Sequence, residues 1–272
     1  MNLRLTILGC GSSGGVPRVG AGWGACNPAN PKNRRRRCSM LVERIGPDAN
    51  TTVLVDTSPD LREQLLSADV KRLDGILFTH DHADHSHGID DVRPLVIAMR
   101  RRIPAYLDEA TSALLVERFS YCFQSPPGSP YPPILEERRL EAGSEVAIDG
   151  AAGPLVALPF RLLHGVSDAL GFRFGPLLYA PDVSRIPDES IRYFLELEVL
   201  IIDALRYTPH PSHFSVDEAL AVIEEVRPKR AILTNLHTDL DYDVLRAQLP
   251  AHVEPAYDGL QIEVRVRAAV PV

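Results

Sequence analysis

The sequence predicts an α/β protein, and two observations carry that prediction. Short apolar segments with the composition of buried strands recur along the chain, and helix-start signals follow some of them. Several of these apolar segments end in a polar residue that can coordinate a metal or take part in catalysis. We therefore expect the chemistry of this protein to be concentrated at the ends of its strands.

The first strand candidate leads into a glycine-rich loop. Leu3, Leu5 and Ile7 alternate with other residues, and residues 9–15 then read Gly-Cys-Gly-Ser-Ser-Gly-Gly. Such a loop lets the backbone approach a site closely. It lacks the Gly-Lys-Ser/Thr ending of a phosphate-binding loop, and no dinucleotide-binding glycine pattern is followed by a clear helix. A nucleotide cofactor is therefore not expected.

Further strands and helices follow in order. The strand candidates are residues 52–56, 75–78, 177–180, 199–203 and 231–234. Ser58 and Pro59 predict a helix start, and residues 215–218 form a capping box. The proline-rich stretch 125–133 is expected to be a loop. No internal repeat or clear linker divides the chain, so residues 1–272 are predicted to form a single domain.

Composition limits the class of partner. The 272 residues are 45% hydrophobic and 24% charged, as in an ordinary globular protein, and the formal net charge is −7. That charge argues against an extended nucleic-acid-binding surface, because such binding relies on lysine and arginine side chains that neutralise phosphates. The four arginines at 34–37 either contact an anionic substrate or RNA or are simply solvated. A small anionic substrate remains compatible with this charge.

Cysteine content and hydrophobicity indicate the compartment. The four cysteines, at positions 10, 26, 38 and 122, are too few and too scattered for the disulfide framework of a small secreted domain. The chain has no secretory signal pattern and no apolar run of the roughly 18 residues that a membrane-spanning helix needs. We therefore expect a cytoplasmic protein that does not insert into a membrane.

One short segment concentrates metal-binding side chains. Residues 79–85 read Thr-His-Asp-His-Ala-Asp-His and follow the strand candidate 75–78, so three imidazoles and two carboxylates leave one strand end. Imidazole and carboxylate together suit zinc, manganese or iron, and the lack of nearby thiolates argues against a four-cysteine structural zinc site. A merely solvated loop would have gathered four of the nine histidines between residues 80 and 87 by chance. The segment therefore predicts a metal site.

This segment resembles the H-x-H-x-D-H motif of the metallo-β-lactamase superfamily. The matching residues are His80, His82, Asp84 and His85. The resemblance implies an αβ/βα four-layer sandwich with two divalent transition-metal ions, manganese or zinc, at one edge. In that family the first two histidines bind one metal, and the aspartate and the last histidine bind the other. His164 and Asp182 lie in the order and context of a further histidine ligand and of the aspartate that bridges the two metals.

Three of these assignments have ordinary alternatives. Taken alone, His164 has the pattern of a buried core histidine and Asp182 that of a turn residue, but the preceding motif favours the metal-binding role for both. Asp56, which ends the strand candidate 52–56, resembles the family's early aspartate that supports the metal ligands from behind. Its alternative role is to cap the helix that starts near Pro59.

A closer resemblance is to the phosphoribosyl cyclic phosphodiesterase family and, more remotely, to the tRNA-maturing endonuclease. The segments that carry it are residues 9–17, 79–94, 213–215 and 256–260. It implies hydrolysis of a small cyclic or nucleotide-like phosphodiester by a metal-bound hydroxide. By this resemblance Asp84 orients the hydroxide, and His213 contacts the phosphate and protonates the leaving oxygen. Asp203 either orients His213 or has a helix-capping or buried structural role.

The sequence departs from this family in two places. The family's additional structural zinc uses clustered cysteines and a late histidine, whereas this chain has Cys26 and Cys38, and has Thr238 where the histidine would fall. Asn235 stands where the family commonly has the last histidine ligand of the second metal. Because imidazole binds these metals better than a neutral amide, we predict that His237, on the same face as Asn235 if the strand continues, completes the second site.

Other functions stay compatible with the sequence. A metal-dependent ester, thioester or lactone hydrolase would use the same ligands, because the same hydroxide can attack a carbonyl carbon. A non-catalytic metal-binding module that recognises a ligand or partner is a third hypothesis, although unpaired ligand clusters are costly to retain without an ion. The oligomeric state is open, with a homodimer as one alternative. The leading prediction is a phosphodiesterase acting on a small substrate.

Overall fold

Two mixed β-sheets form the framework of the computed structural model, which describes residues 2–266. The strands of the first sheet are β1 (Asn2–Gly9), β2 (Ser39–Ile45), β3 (Thr51–Val55), β4 (Gly75–Leu77), β5 (Ile103–Leu107), β6 (Leu135–Arg139) and β14 (Gln261–Arg265). Their spatial order is β14-β1-β2-β3-β4-β5-β6. The pairs from β14 to β3 are antiparallel, and those from β3 to β6 are parallel.

The second sheet has the same number of strands and a similar division. Its strands are β7 (Val146–Ile148), β8 (Leu155–His164), β9 (Ser167–Phe174), β10 (Leu177–Ala180), β11 (Val199–Asp203), β12 (Arg230–Thr234) and β13 (Val253–Pro255). Their spatial order is β13-β12-β11-β10-β9-β8-β7. The pairs from β10 to β13 are parallel, and the remaining pairs are antiparallel. Each sheet therefore has one set of parallel strands whose carboxyl ends point the same way.

Short helices connect the strands. Within the described residues the α-helices are α1 (Leu61–Ser67), α2 (Ala83–Ser86), α3 (Arg93–Met99), α4 (Glu109–Arg118), α5 (Ser120–Phe123), α6 (Asp188–Ile191), α7 (Val216–Val226) and α8 (Tyr242–Gln248). Single 3-10 turns lie at Pro31–Asn33, Ile89–Val92 and Arg192–Phe194. None of the helices in residues 2–266 has the length and apolar composition that crossing a membrane would require.

The sequence located most of these elements. The first strand candidate is β1, the five further candidates are strands within one residue of their predicted bounds, and the proline-rich stretch 125–133 is a loop. The predicted capping box starts α7, where the Ser215 backbone N–H donates to the Glu218 carboxylate at 2.7 Å. The helix predicted from Ser58 and Pro59 begins later, at Leu61, because the Ser58 hydroxyl is used inside the preceding turn.

Side chains between the two sheets form one continuous buried core. Leu5 and Val53 of the first sheet lie in it together with Phe172 and Ile201 of the second, and all four are fully buried. Because successive side chains of a strand point to opposite faces, the alternate residues of these strands face outward and need a second cover. Burial on both faces explains why the inner strands are almost continuously apolar.

Helices supply that outer cover. On the first sheet, Ile76 packs in a cluster that includes Leu61 of α1 and Leu115 of α4. On the second sheet, Ile202 lies in a cluster with Ile223, which α7 presents on its buried face. The order of layers is therefore helix, sheet, sheet and helix. This arrangement confirms the predicted αβ/βα four-layer sandwich.

The strand ends that carry polar residues meet at one edge of this sandwich. His164 ends β8, Asp182 follows β10 and Asp203 ends β11. The chain after β4 reaches the same edge, because the Leu170 N–H in β9 donates to the Thr79 carbonyl at 2.8 Å. The fold thus brings chemically active side chains together from both sheets.

Candidate metal centre

Asp56 anchors the histidine-rich loop that follows β4. Its carboxylate accepts hydrogen bonds from the Thr79 backbone N–H and hydroxyl, both at 2.8 Å, and lies 2.7 Å from His85 Nδ1. Asp56 is fully buried, with a left-handed φ of 62° that turns the chain sharply after β3. The N-cap residue of α1 is Asp60 rather than Asp56. The geometry therefore favours the role of Asp56 behind the metal ligands over the role of helix cap.

The single helical turn of α2 directs the side chains of the motif to different depths. His82 stands at the N-cap position, and the Ser86 hydroxyl donates to its carbonyl oxygen at 2.8 Å. His80 and His85 are buried, whereas His82 is exposed on the wall of a cavity. The motif therefore spans from the interior of the protein to the solvent.

Three groups of imidazole and carboxylate side chains are close enough to hold a metal ion. They are His80, His82 and His164; His80, His85 and Asp182; and His164, Asp182 and His213. Within each group the ligand atoms lie within 4.8 Å of one another. Because the groups share His80, His164 and Asp182, they form one continuous cluster rather than separate sites.

The buried histidines of this cluster have one ring nitrogen bound to the protein and the other directed at the cluster. His80 Nδ1 lies 2.9 Å from the hydroxyl of the preceding threonine, and His164 Nδ1 donates to the Ser212 carbonyl at 2.7 Å. His85 Nδ1 is held by Asp56 in the same way. These contacts fix the ring orientations and leave the Nε2 lone pairs for the cluster, as in metal-binding histidines.

Three buried ligand atoms have no hydrogen-bond partner among residues 2–266, namely His80 Nε2, His85 Nε2 and Asp182 Oδ2. A buried polar atom without a partner costs about 1–3 kcal/mol. His85 Nε2 and Asp182 Oδ2 lie 3.1 Å apart but are not aligned for a hydrogen bond, so the two atoms face a common point rather than each other. Coordination would satisfy all three atoms, and these residues therefore fit the divalent metals that the sequence predicts.

Burial and neighbouring charges set the protonation states of the cluster. Burial lowers the pKa of His80 well below its usual value and also lowers the pKa of His164, so both rings are neutral. Burial acts to raise the pKa of Asp182, but the neighbouring His85 imidazole outweighs that effect and holds the pKa well below its usual value. Neutral imidazole and ionised carboxylate are the forms that bind metals.

Asp84 lies at the margin of the cluster. Its Oδ2 is 3.5 Å from His85 Nε2, and its side chain is 17% exposed. It belongs to none of the three groups, but it lines the cavity into which they open. The carboxylate of Asp84 is therefore accessible to water and close to the buried ligands at the same time.

His213 is held beside the cluster by Asp203. The Asp203 carboxylate accepts a hydrogen bond from His213 Nδ1 at 2.8 Å and one from the Val183 backbone N–H at 3.0 Å. Burial acts to lower the pKa of His213, but the hydrogen bond and the negative charge of Asp203 raise it to about 9. The Asp203 carboxylate therefore favours the protonated form of His213. Of the alternatives for Asp203, the geometry favours orientation of His213 from a buried position.

Asn235 presents its amide nitrogen to the cluster. Its Nδ2 donates to the Pro181 carbonyl at 3.1 Å and to Asp182 Oδ1 at 3.2 Å, and lies 3.1 Å from His213 Nδ1. Two oxygen acceptors fix the orientation of the amide, because only its nitrogen can donate. Asn235 therefore positions the Asp182 carboxylate and does not offer an oxygen to a metal.

The structure places His237 outside the three ligand groups, whereas the sequence predicted that it completes the second metal site. β12 ends at Thr234 and Asn235 has a left-handed φ of 62°, so the strand alternation on which the prediction relied stops before His237. His237 Nδ1 is hydrogen-bonded to Asp239, and its Nε2 lies 2.5 Å from Arg18 Nη1. The ring is outside all three ligand groups, although it lines the same cavity.

A cavity of about 250 Å³ opens onto the cluster. It is lined by Ser12, Ser13, Arg18, His82, Asp84, His164, Asp182, Leu205, Arg206, His210, Ser212, His213 and His237. A second cavity of about 1300 Å³ borders Leu3, Phe174 and Lys229 near the opposite edge of the sandwich, but none of the three ligand groups lies there. The smaller cavity is therefore the candidate site. Sequence analysis assigned no role to Arg18, Arg206 or His210. The one signal for this side of the cavity was the glycine-rich loop, which predicted that backbone lies close to the site.

The four consecutive arginines are mostly structural rather than solvated. Arg36 pairs with Asp258 at 2.9 Å, and Arg37 pairs with Asp60 at 2.6 Å. Arg35 is buried, and Arg34 alone among the four is exposed. This run therefore holds loops together.

Arg35 is bound by the backbone of a distant loop. Its guanidinium donates to the Leu240 carbonyl at 2.7 Å and to the His237 carbonyl at 3.3 Å, and lies 3.8 Å from Cys26 Sγ. The Cys26 thiol also donates to the Thr238 carbonyl at 3.3 Å. All four cysteines are free and buried, and no ligand group in residues 2–266 contains a cysteine. The geometry does not bring Cys26 and a second thiolate together as a zinc site.

Comparison with known proteins relates both the sequence and the fold to one superfamily. A family model described as "Beta-lactamase superfamily domain" matches residues 51–235. Among curated proteins, an octanoyltransferase from Porphyromonas gingivalis (strain ATCC BAA-308 / W83) is 32% identical over 262 residues. That match covers 95% of this chain and 51% of the relative, so the chain spans about half the length of that protein.

Solved structures extend the comparison over the whole chain. A new diphosphatase from the PhnP family is 35% identical, with a TM-score of 0.86 over 97% of this chain and 98% of that chain. Zn²⁺-bound PqqB from Methylobacterium extorquens is 16% identical, with a TM-score of 0.74 over 95% and 99% of the two chains. Short-form human tRNase Z is 16% identical, with a TM-score of 0.62 over 97% and 100%. The last two likenesses show the fold alone.

Proposed function

Since this chain belongs to the β-lactamase superfamily, we propose that it is a hydrolase of small phosphodiesters, cyclic or nucleotide-like, which works with two divalent metal ions. The observation that carries the proposal is the set of buried imidazole and carboxylate atoms that face one another without hydrogen-bond partners. The similarity to a protein described as a diphosphatase favours a phosphoryl group over other reacting groups.

The residues divide between the two ions as follows. His80, His82 and His164 would hold one ion, and Asp84 and His85 would hold the other. Asp182 lies close to members of both sets and would be shared between them. When bound, zinc or manganese ions polarise the phosphoryl oxygens and lower the pKa of a water molecule.

Two side chains act on protons in this scheme. Asp84 reaches the cavity and the ligands together, and orients the attacking water with its free carboxylate oxygen. His213 carries a proton at neutral pH and transfers it to the leaving oxygen, while Asp203 holds the ring in place. We assign His213 to the phosphate and not to a metal, because the Asp203 carboxylate that binds Nδ1 favours the protonated imidazole, which has no lone pair for an ion.

A second candidate is hydrolysis or transfer of an acyl group, which the relative named octanoyltransferase favours. The same metal chemistry can polarise a carbonyl group. The cavity is poorly suited to an eight-carbon chain, since Leu205 is the single aliphatic side chain on its described walls. Cysteine is also absent from that lining, which disfavours a route through a thioester on the protein. These features favour the phosphodiesterase.

The test is a comparison of substrates on protein reconstituted with zinc or manganese. Bis-p-nitrophenyl phosphate, octanoyl coenzyme A and an aliphatic lactone are assayed with the unchanged protein, with His80→Ala and with His252→Ala as a control at an exposed histidine outside the cavity. We expect turnover of the phosphodiester, lost in His80→Ala and kept in the control. Faster turnover of the thioester or lactone would overturn the proposal, and metal binding without any turnover would favour a non-catalytic module.

A further inference from the structure

A second cavity lies at the edge of the sandwich opposite the ligand cluster, and we call it the basal groove. Its volume is about 1300 Å³, and it borders Leu3 at the start of β1, Glu198 just before β11 and Lys229 just before β12. Strands β11 and β12 run in parallel from this groove towards the ligand cluster, and the two cavities share no lining residue. A ligand of the basal groove would therefore occupy a site of its own.

Apolar side chains line a large part of the basal groove. Phe174 is fully buried and Leu3 and Leu197 are nearly so, whereas Val156 is 39% exposed and Leu158 is half-buried. Apolar side chains that remain partly exposed along a concave surface are typical of ligand-binding sites. The groove therefore offers a surface on which an aliphatic chain can pack.

Arg173 places a positive charge among these apolar side chains. It lies in β9 between Leu158 of β8 and Leu178 of β10, and Leu178 belongs to a buried apolar cluster. Arg173 is half-buried, and burial lowers the pKa of its guanidinium although the charge of Glu196 acts in the opposite direction. The cation is therefore partly removed from water without full compensation by a neighbouring charge.

The guanidinium of Arg173 is held in place but is not neutralised. Its Nε donates to the Gly175 carbonyl at 2.7 Å, and its Nη1 donates to the Tyr193 carbonyl at 2.9 Å. Within residues 2–266 no carboxylate forms an ion pair with it. An arginine has five N–H donors, so most of them remain available to a ligand. An oriented cation without a partner, next to apolar surface, is suited to an anion that carries an apolar group.

The rim of the groove limits the charge of that anion. Arg227 and Arg265 lie there together with Glu145 and Glu196, all four are exposed, and none forms an ion pair within the described part of the chain. The two cations and the two carboxylates of the rim balance, which leaves Arg173 as the uncompensated charge. The rim carboxylates would repel a head group with two negative charges more strongly than a head group with one. A single carboxylate therefore matches the groove.

We propose that the basal groove binds a free fatty acid, whose carboxylate pairs with Arg173 while its aliphatic chain covers Leu3 and Val156. The planar fork of arginine donates two parallel hydrogen bonds to a carboxylate. The chain adds to the affinity because its burial removes apolar surface of both the ligand and the protein from water. This inference does not depend on the proposed phosphodiesterase function, since the groove is separate from the ligand cluster.

Calorimetric titration of the metal-loaded protein with hexanoate, octanoate and decanoate, each below its micelle concentration, tests the site. We expect one ligand per chain and a Kd that falls about tenfold for each pair of added methylene groups. Decanol has the chain of decanoate without its charge and should bind about 10- to 100-fold more weakly. Decyl phosphate, which carries a second negative charge, should also bind more weakly than decanoate.

Variants locate the two ends of the ligand. In Arg173→Gln the Kd of decanoate should rise about 10- to 100-fold while that of decanol stays within about twofold, because only the charge is lost. Val156→Asp, at an exposed strand position, should weaken both ligands, because it places a carboxylate against the chain. Arg102→Gln, at an exposed arginine outside the groove, should bind both ligands as the unchanged protein does, and His80→Ala should retain decanoate binding.

Several outcomes would overturn this proposal. They are a Kd that does not depend on chain length, decanoate binding that both Arg173→Gln and Val156→Asp leave unchanged, and tighter binding of decyl phosphate than of decanoate. Loss of decanoate binding in His80→Ala would place the ligand at the metal cluster instead. Sedimentation is measured in parallel, and a dimer that Val156→Asp dissociates and decanoate does not affect would make the groove an interface between two copies of the chain.

Discussion

The two walls of the candidate site are built in different ways. The wall after β4 takes His80, His82, Asp84 and His85 from one six-residue stretch, and Asp56 braces it at a single point. The facing wall takes its residues from the ends of β8, β10, β11 and β12, which are far apart in sequence. The first wall is a local motif and the second is a product of tertiary structure. In the first wall, the same residues are proposed to bind metal and to act on protons. In the second wall these roles belong to different residues, so we expect single substitutions there to affect one role without the other.

The largest effect is expected at Asp182, the residue of the second wall that lies against His85 of the first. Asp182→Ala removes a carboxylate that faces His85 and the other ligands, so both metal content and phosphodiesterase activity should fall to the background of the metal-free protein. Elemental analysis after gentle purification and reconstitution measures the first and turnover the second. Asp188→Ala, at an exposed aspartate of α6, is the control. Full activity in Asp182→Ala would remove it from the bridging position.

His213→Ala should distinguish metal binding from proton transfer most clearly. We expect both metals to be retained and kcat to fall by about 10²–10⁴-fold, because a proton donor is lost while the proposed metal ligands remain. The proton is needed on His213, so activity should decline as pH rises through its pKa. That pKa is raised to about 9 by Asp203, and bound cations would move it lower. Loss of metal together with activity would make His213 a ligand, as its place in the third group allows.

The next prediction compares two neighbours after β12. Asn235→Ala removes the donor that holds Asp182, and we expect metal affinity to fall by about 10- to 100-fold, as when the support of a metal ligand is lost. His237→Ala should leave metal affinity within about twofold, because its ring contacts Arg18 and Asp239 instead. Metal titrations give the ranking. The opposite order would restore the ligand role that the sequence indicated for His237.

The smallest effect is expected outside both walls, at the ion pair between Arg37 and Asp60. Burial acts to raise the pKa of Asp60, but the hydrogen bonds from Arg37 outweigh it and lower the pKa. The pair therefore stabilises the fold above the unfolded pKa of about 3.9, and this contribution is lost as pH falls through the folded pKa. Asp60→Asn should cost about 0.5–1 kcal/mol in urea unfolding at pH 7, and the difference should vanish in strong acid. Metal affinity should not change.

The sequence predicted the first wall almost completely and the second only in part. The proposed ligands after β4 are close in sequence, so their spacing alone predicts them, and their strand is marked by its apolar run. His164 and Asp182 needed the family's order of ligands as well. The prediction for His237 relied on a strand that continues, whereas the backbone turns left-handed at Asn235. Such a turn depends on contacts with residues 181 and 182, which no local pattern reveals.

Charge pairing was the other feature that the sequence concealed. A run of four arginines is usually solvated, yet Arg35, Arg36 and Arg37 are bound by partners up to 222 residues away. The sequence gives no signal for Arg18, because a single arginine after a glycine-rich loop has no distinctive neighbours. Its place on the cavity wall and its contact with His237 depend on the folded positions of the loops after β11 and β12.

Arg35 also determines how the corner of the fold around Cys26 responds to the removal of metal ions. In the family that the chain resembles, a zinc ion ties together the region where Cys26 and Thr238 lie, and here a guanidinium lies beside that cysteine and grips the adjacent loop. Because the cation at this corner is the Arg35 side chain and not a metal ion, a chelator cannot remove it. Removal of metal ions would therefore leave this corner of the fold held together.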